Sequence, residues 1–413
     1  MNSIKTYLAI LLVGTTCSLF GQSKTQKISA NIGGGYVNNV FLAPRSYLSG
    51  GDTLGEDSLY VSGVTYNTDI NYQLNRVFNK KNELTFYGNL ETSNYIDPDL
   101  KSFYGLIGQG KLVYQHNFKK YTYVQLKYQG RRKRTIRTTI TGDEYVRPYS
   151  YWSNYPSINY QKRLFKNAYW NVDGGYDMRV YDGNDSIQNF QSLSYNSINF
   201  GTTLKYKHKL FKKLILYQLS YDRRLRNFTE WTIDGVFDEN GIETTLGDLL
   251  EMDASYVAPL RRWYYTYLDF EVKYLWSKKM SSVFNIGQFV KDDVEGGDIG
   301  FTTPYIGGEV RYKTKKHVLT LEYHQSTRYY HNRFAYVADG EDPSFLTYHF
   351  QNVDLSYTRQ WKSGLGAFAS LSTENRISNS TDLKKKFRRS YFTYSVQAGI
   401  TYEAKRKKKI KKK

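Results

Sequence analysis

From residue 391 to 402 the chain alternates without a break. Phe392, Tyr394, Val396, Ala398, Ile400 and Tyr402 fall on one parity, and Thr393, Ser395, Gln397, Gly399 and Thr401 on the other. A strand turns successive side chains to opposite faces, so one face here is apolar and aromatic and the other small and polar. The period of two recurs along the chain. Val64, Tyr66, Thr68, Ile70, Tyr72 and Leu74 alternate with Thr65, Asn67, Asp69, Asn71 and Gln73. Leu268, Phe270, Val272 and Tyr274 alternate with Asp269, Glu271 and Lys273, and Val353, Leu355 and Tyr357 with Asp354, Ser356 and Thr358.

Short turns punctuate these runs at 78–82 (FNKKN), 117–121, 164–168, 210–214, 276–280 (WSKKM), 313–317 (KTKKH) and 361–364. Longer polar segments lie between them, at about 37–59, 95–101, 132–148, 182–191, 227–259, 291–298, 331–344 and 378–387. Seven turns and eight loops in alternation join sixteen strands, an even number that leaves both termini at one end. A barrel of about 16 strands has an open lumen, so polar residues belong inside and apolar residues outside, against lipid. The expected fold is all-β: a transmembrane antiparallel up-and-down β-barrel with short periplasmic turns and long extracellular loops. Aromatics at the strand ends predict two headgroup girdles. Phe78, Phe118, Tyr121, Phe165, Tyr169, Trp170, Phe211, Trp276 and Trp361 form the inner one, and Tyr95, Tyr149, Tyr151, Trp152, Trp263, Tyr264, Tyr329 and Tyr330 the outer.

The mean hydropathy of -0.62 excludes a bundle of spanning helices but not a barrel, in which only alternate strand residues meet lipid. Residues 1–21, with Lys5 before an apolar run and small residues after it, read as a secretory signal. The one cysteine, Cys17, falls inside it. Residues 22–404 are assigned to the barrel and 405–413 to a basic periplasmic tail that carries eight Lys/Arg. The tail is either a solvated end or a contact for an anionic periplasmic partner.

The opening residues 33–44 (GGGYVNNVFLAP) and the aromatic last strand ending at Ile400–Tyr402 resemble bacterial outer-membrane β-barrels of the porin kind. The resemblance implies export by the general secretory pathway, insertion by barrel-assembly machinery and contact with outer-membrane lipid and lipopolysaccharide. The chain departs from the family's terminal signal in having eleven residues after Tyr402.

Two segments carry the most distinctive chemistry. Residues 131–137 (RRKRTIR) hold five Lys/Arg. Strand parity turns Arg131 and Lys133 into the lumen and Arg132 and Arg134 outward, where lipopolysaccharide phosphates are a natural partner. Residues 227–260 are rich in carboxylates, among them Asp234, Asp238 and Glu239, without a single Lys or Arg, and Arg224 and Arg226 flank them. An acidic loop folded into the mouth opposite lumenal arginines would make a charged pore constriction. The alternative is a solvated acidic loop beside a basic rim. A hairpin through Glu239-Asn240-Gly241 is expected in this loop. The lumenal charges Asp69, Glu91, Asp173, Asp177, Arg179, Asp222, Asp269, Glu271, Lys273, Glu309, Arg311, Glu322 and Asp354 mix signs, as a solute path or as cross-strand pairs would.

No phosphate-binding loop, zinc cluster or nucleotide fingerprint is present, so no cofactor, metal or nucleic-acid partner is assigned. Some barrels are lipid hydrolases. Here only His324 and Ser326 share a lumenal face, and the chain is read as a non-enzyme. The leading expectation is a porin-like channel for passive diffusion of small polar solutes. The alternative is a non-channel barrel acting through partner proteins in surface display, secretion or polysaccharide export.

Overall fold

The computed structural model describes residues 23–409 apart from 41, 43–44, 50–51, 98–99, 101–103, 139–145, 149, 183–192, 212, 233–235, 238–242, 245–259, 295–298, 338–341, 343, 362 and 383–389. The predicted signal therefore lies outside the described residues.

Sixteen long strands form the wall: β1 Ser23–Val37, β2 Gly63–Val77, β3 Asn82–Tyr95, β4 Tyr104–Lys119, β5 Thr122–Thr138, β6 Tyr151–Arg163, β7 Ala168–Tyr181 and β8 Tyr195–Leu210. They continue as β9 Lys213–Thr232, β10 Leu260–Leu275, β11 Met280–Asp293, β12 Phe301–Lys313, β13 His317–Phe334, β14 Phe345–Gln360, β15 Leu365–Ser378 and β16 Tyr391–Lys409. Each strand pairs antiparallel with the next, and β1 pairs with both β2 and β16, so the sheet closes. Closure removes the unpaired edges such long strands would otherwise expose.

The seven short turns stand where the sequence puts them, and three share one device. The side-chain oxygens of Asn79, Ser277 and Thr314 accept from two backbone N–H groups each, at 2.8–3.2 Å. A short polar side chain followed by Lys-Lys thus folds the turn locally.

The alternation is resolved as predicted, with the apolar parity outward. Ile32 and Ile400, opposite each other at the closing seam, are each 62% exposed. The outward run Leu319, Leu321 and Tyr323 in β13 is comparably bare. At the same seam Gly33 faces Gly399, and Phe368 of β15 lies across both on the inner side. A Cβ on Gly33 would come within 2.8 Å of the Phe368 ring and 2.6 Å of the Ala398 carbonyl oxygen. Glycine here lets an aromatic ring lie flat on the inner wall.

Three boundaries differ from the sequence reading. Strand β5 runs to Thr138, so 131–137 is strand rather than loop, and β9 likewise extends through Thr232. Charged residues end the apolar alternation there, but the ladder continues because backbone pairing does not depend on side-chain polarity. The basic stretch from Lys405 to Lys409 is not a separate tail; it prolongs β16 against Ser23–Lys27 of β1. Lys27 forms an ion pair with Glu403 at 3.1 Å there. Of the hairpin expected in the acidic loop, Val236 stands opposite Thr244 and Phe237 opposite Glu243, while its turn at 239–241 lies outside the described residues.

Candidate functional site

The inner wall is layered along the barrel axis. Near mid-wall it is acidic. Glu309, Glu322 and Asp354 face one another across β12, β13 and β14. Asp69, Asp173, Asp222 and Asp269 take inward positions on β2, β7, β9 and β10. The Asp69 carboxylate accepts from the amides of Asn31, Asn71 and Asn89 at 2.8–3.0 Å. The Tyr305 hydroxyl donates to Asp269 at 2.7 Å. A cavity of about 720 Å³ opens into this layer, lined among others by Asp69, Glu91, Lys133, Ser356, Ser370 and Gln397. These residues come from strands on both sides of the closing seam.

Toward the long loops the wall changes sign. Twelve consecutive strands carry, in strict alternation, a cation and an aromatic ring. Arg131, Arg179, Arg226, Lys291, Arg328 and Arg376 stand on the odd strands from β5 to β15. Tyr151, Tyr195, Trp263, Phe301, Tyr348 and Tyr391 stand on the even strands from β6 to β16. The Arg131 guanidinium lies 5.9 Å from the Tyr151 ring, and Arg179 lies 4.3 Å from Tyr151 and 5.0 Å from Tyr195. Arg226 lies 4.1 Å from Tyr195 and 4.8 Å from Tyr265. The Lys291 ammonium sits 3.4 Å over Trp263. Arg328 lies 4.2 Å from Phe301 and 5.3 Å from Phe350, and Arg376 4.8 Å from Tyr348 and 4.3 Å from Tyr391. Each cation is attracted to the negative face of a neighbouring ring, and each ring's body shields it from water.

Tyr195, Phe228, Trp263 and Tyr265 pack as a buried cluster in this section of wall. Arg179 also reaches Asp177 at 3.4 Å, and Tyr391 donates to Glu374. Arg131, Arg226, Lys291 and Arg328 make no ion pair and no side-chain hydrogen bond among the described residues. The Nε atoms of Arg131, Arg226 and Arg328 are buried without an acceptor.

Of the residues singled out from the sequence, Arg131, Lys133, Arg224 and Arg226 all face inward, with Arg224 one inward position below Arg226. Asp234, Asp238 and Glu239 lie outside the described residues. Arg132 and Arg134 face outward. The Arg132 fork is occupied: both terminal nitrogens donate to Asp182 at 2.6 Å, with the guanidinium 4.9 Å over Trp152. Arg134 is exposed.

Part of the expected outer girdle is corrected. Trp152, Tyr264 and Tyr329 point outward as supposed, but Tyr95, Tyr151, Trp263 and Tyr330 point inward. Tyr169 of the expected inner girdle also turns inward. The sequence reading grouped aromatics by nearness to strand ends. Carrying strand parity through those ends separates the two sets.

No protein-family model and no curated protein matches the chain. Among solved structures it is similar in shape to an anion-selective porin from Comamonas acidovorans, at 12% identity over 92% of this chain and 100% of that one, with a TM-score of 0.45. The outer membrane channel DcaP of Acinetobacter baumannii matches at 10% identity over 92% and 97%, with a TM-score of 0.43. OccAB1 of Acinetobacter baumannii matches at 8% identity over 93% and 97%, with a TM-score of 0.44.

Proposed function

We propose that the chain is a bacterial outer-membrane channel for passive diffusion of small polar solutes, with its short turns and both termini in the periplasm. The observation that carries this reading is the inversion of the wall. Large apolar side chains such as Ile32, Leu321 and Ile400 are bare on the outside, while carboxylates, amides and cations face the lumen. A bilayer supplies the missing apolar partner for such an outer face, and water-filled space the partner for the inner one. The cavity between the seam strands gives solutes room.

Within this reading Arg131, Lys133, Arg224 and Arg226 form the basic side of a constriction, with the acidic loop as its counterpart. Arg134 is the better lipopolysaccharide contact of the outward pair, because Asp182 already holds the Arg132 fork. The exposed Arg406 is a candidate contact for anionic headgroups of the inner leaflet.

Planar-bilayer recording tests the channel directly. Purified, heat-modifiable barrel should give discrete single-channel steps. A folded barrel that inserts without steps would overturn the channel and favour the partner-docking alternative.

A further inference from the structure

We propose that the cation–aromatic collar is a docking site for oxyanions at the long-loop mouth, taking solutes that bear a carboxylate or a phosphate. The binding claim stands by itself; the claim that docking feeds transport rests on the channel reading above.

The inference starts from Arg226. Its guanidinium is held between Tyr195 and Tyr265. Trp263 and Phe228 lie 5.6 and 6.0 Å away as well, and its donors find no acceptor among the described residues. Arg328, between Phe301 and Phe350, repeats the arrangement, and Arg131 beside Tyr151 is a third case. A fixed planar fork without an acceptor matches the two oxygens of a carboxylate or phosphate. Packing on rings also fixes the fork's orientation before a ligand arrives, which lowers the ordering cost of binding.

A purely structural role would pair these cations with carboxylates in the wall. Three carboxylates do stand at collar level, and they are taken by other groups: Asp177 by Arg179, Asp293 by Arg261 and Glu374 by Tyr391, so none pairs with Arg131, Arg226 or Arg328 among the described residues. Along their own strands, Asp222 precedes Arg226 by four residues and Glu322 precedes Arg328 by six. At the rise of an extended strand those offsets are about 13–20 Å, beyond a Debye length of about 8 Å at physiological salt. Among the described residues, Arg226 and Arg328 therefore stand as unpaired cations above the wall carboxylates Asp222 and Glu322. An oxyanion is drawn to these unpaired forks, which makes the collar a place to pause rather than a smooth conduit.

The test uses the full folded chain and citrate as probe, with inorganic phosphate as a second probe. Calorimetry in phosphate-free detergent should show saturable citrate binding. R226Q and R328Q should each weaken it about tenfold, as losing one charge-assisted contact implies. In bilayers free of lipopolysaccharide, citrate on the long-loop side should reduce the current more than citrate on the turn side. A packing role alone would produce no such sidedness. Should the Gln variants fail to fold, R226K and R328K keep a cation by the rings but lose the planar fork, and binding should still fall. Absence of saturable citrate binding by the wild type, or unchanged binding in folded variants, overturns the proposal. Citrate binding lost in the variants of a barrel that does not conduct upholds the collar and sinks only the channel reading.

Discussion

Replacing Leu321 by Arg puts a charge on the outer wall; replacing Glu322 by Arg, one residue on, puts the same charge in the lumen. Leu321 is 46% exposed, between Leu319 and Tyr323 on the outward parity, with Val310 and Leu355 as its ladder partners. If water bathed that face, the substitution would cost within about 0.5 kcal/mol, as surface changes do. If lipid covers it, an Arg near the bilayer midplane costs about 2–4 kcal/mol. Glu322 faces Glu309 and Asp354 across both ladders, so an Arg there replaces like-charge repulsion with attraction. Its effect should stay within about 1 kcal/mol, on the stabilising side. The assay is urea titration of barrel folded into phospholipid vesicles, followed by tryptophan emission. An L321R cost under about 1 kcal/mol, or a larger cost for E322R than for L321R, would refute the assignment of the two faces.

Two further outcomes are expected. Gly399→Val sets a branched side chain against the Ile32 carbonyl and the Phe368 ring at the closing seam, so it should abolish the heat-modifiable band on seminative gels, while Gly399→Ala weakens it less; a valine variant that closes and melts like the wild type would contradict the seam packing. Arg131→Glu reverses a lumenal charge on the collar and should shift the reversal potential in a KCl gradient toward cations; an unmoved potential would remove Arg131 from the solute path.

The strands and turns were legible because each rests on local chemistry. Period-two alternation in 391–402 and the Asn, Ser or Thr before Lys-Lys in the turns need no partner to be read. Segment 131–137 was misread because its signal, alternation of apolar with polar, stops where the strand leaves the apolar belt, although pairing with Gly105–Gln109 continues. The collar was half legible. Arg131 was placed by parity, Arg226 was singled out beside the acidic loop, and Arg179 was already among the lumenal charges. That Lys291, Arg328 and Arg376 join them depends on register across twelve strands, which no local pattern encodes. The last strand's continuation through Lys409 was hidden for a related reason. Lys405 opposite Lys27 is an unfavourable like-charge pair by composition, and only the ladder to β1 and the nearby Glu403 make it strand.

The most direct measurement of an inside-out wall is a cysteine scan of residues 392–402 in β16, on a background with the single native cysteine, Cys17, changed to Ser. Each cysteine variant, folded into vesicles, is challenged with a water-soluble and with a membrane-soluble thiol reagent. Gly399 is left unchanged, because a Cβ there meets the Ile32 carbonyl; positions 393, 395, 397 and 401 should react with the water-soluble reagent, and 392, 394, 396, 398, 400 and 402 with the membrane-soluble one. Reactivity without a period of two, or with the opposite phase, would contradict a barrel that holds water inside and lipid outside.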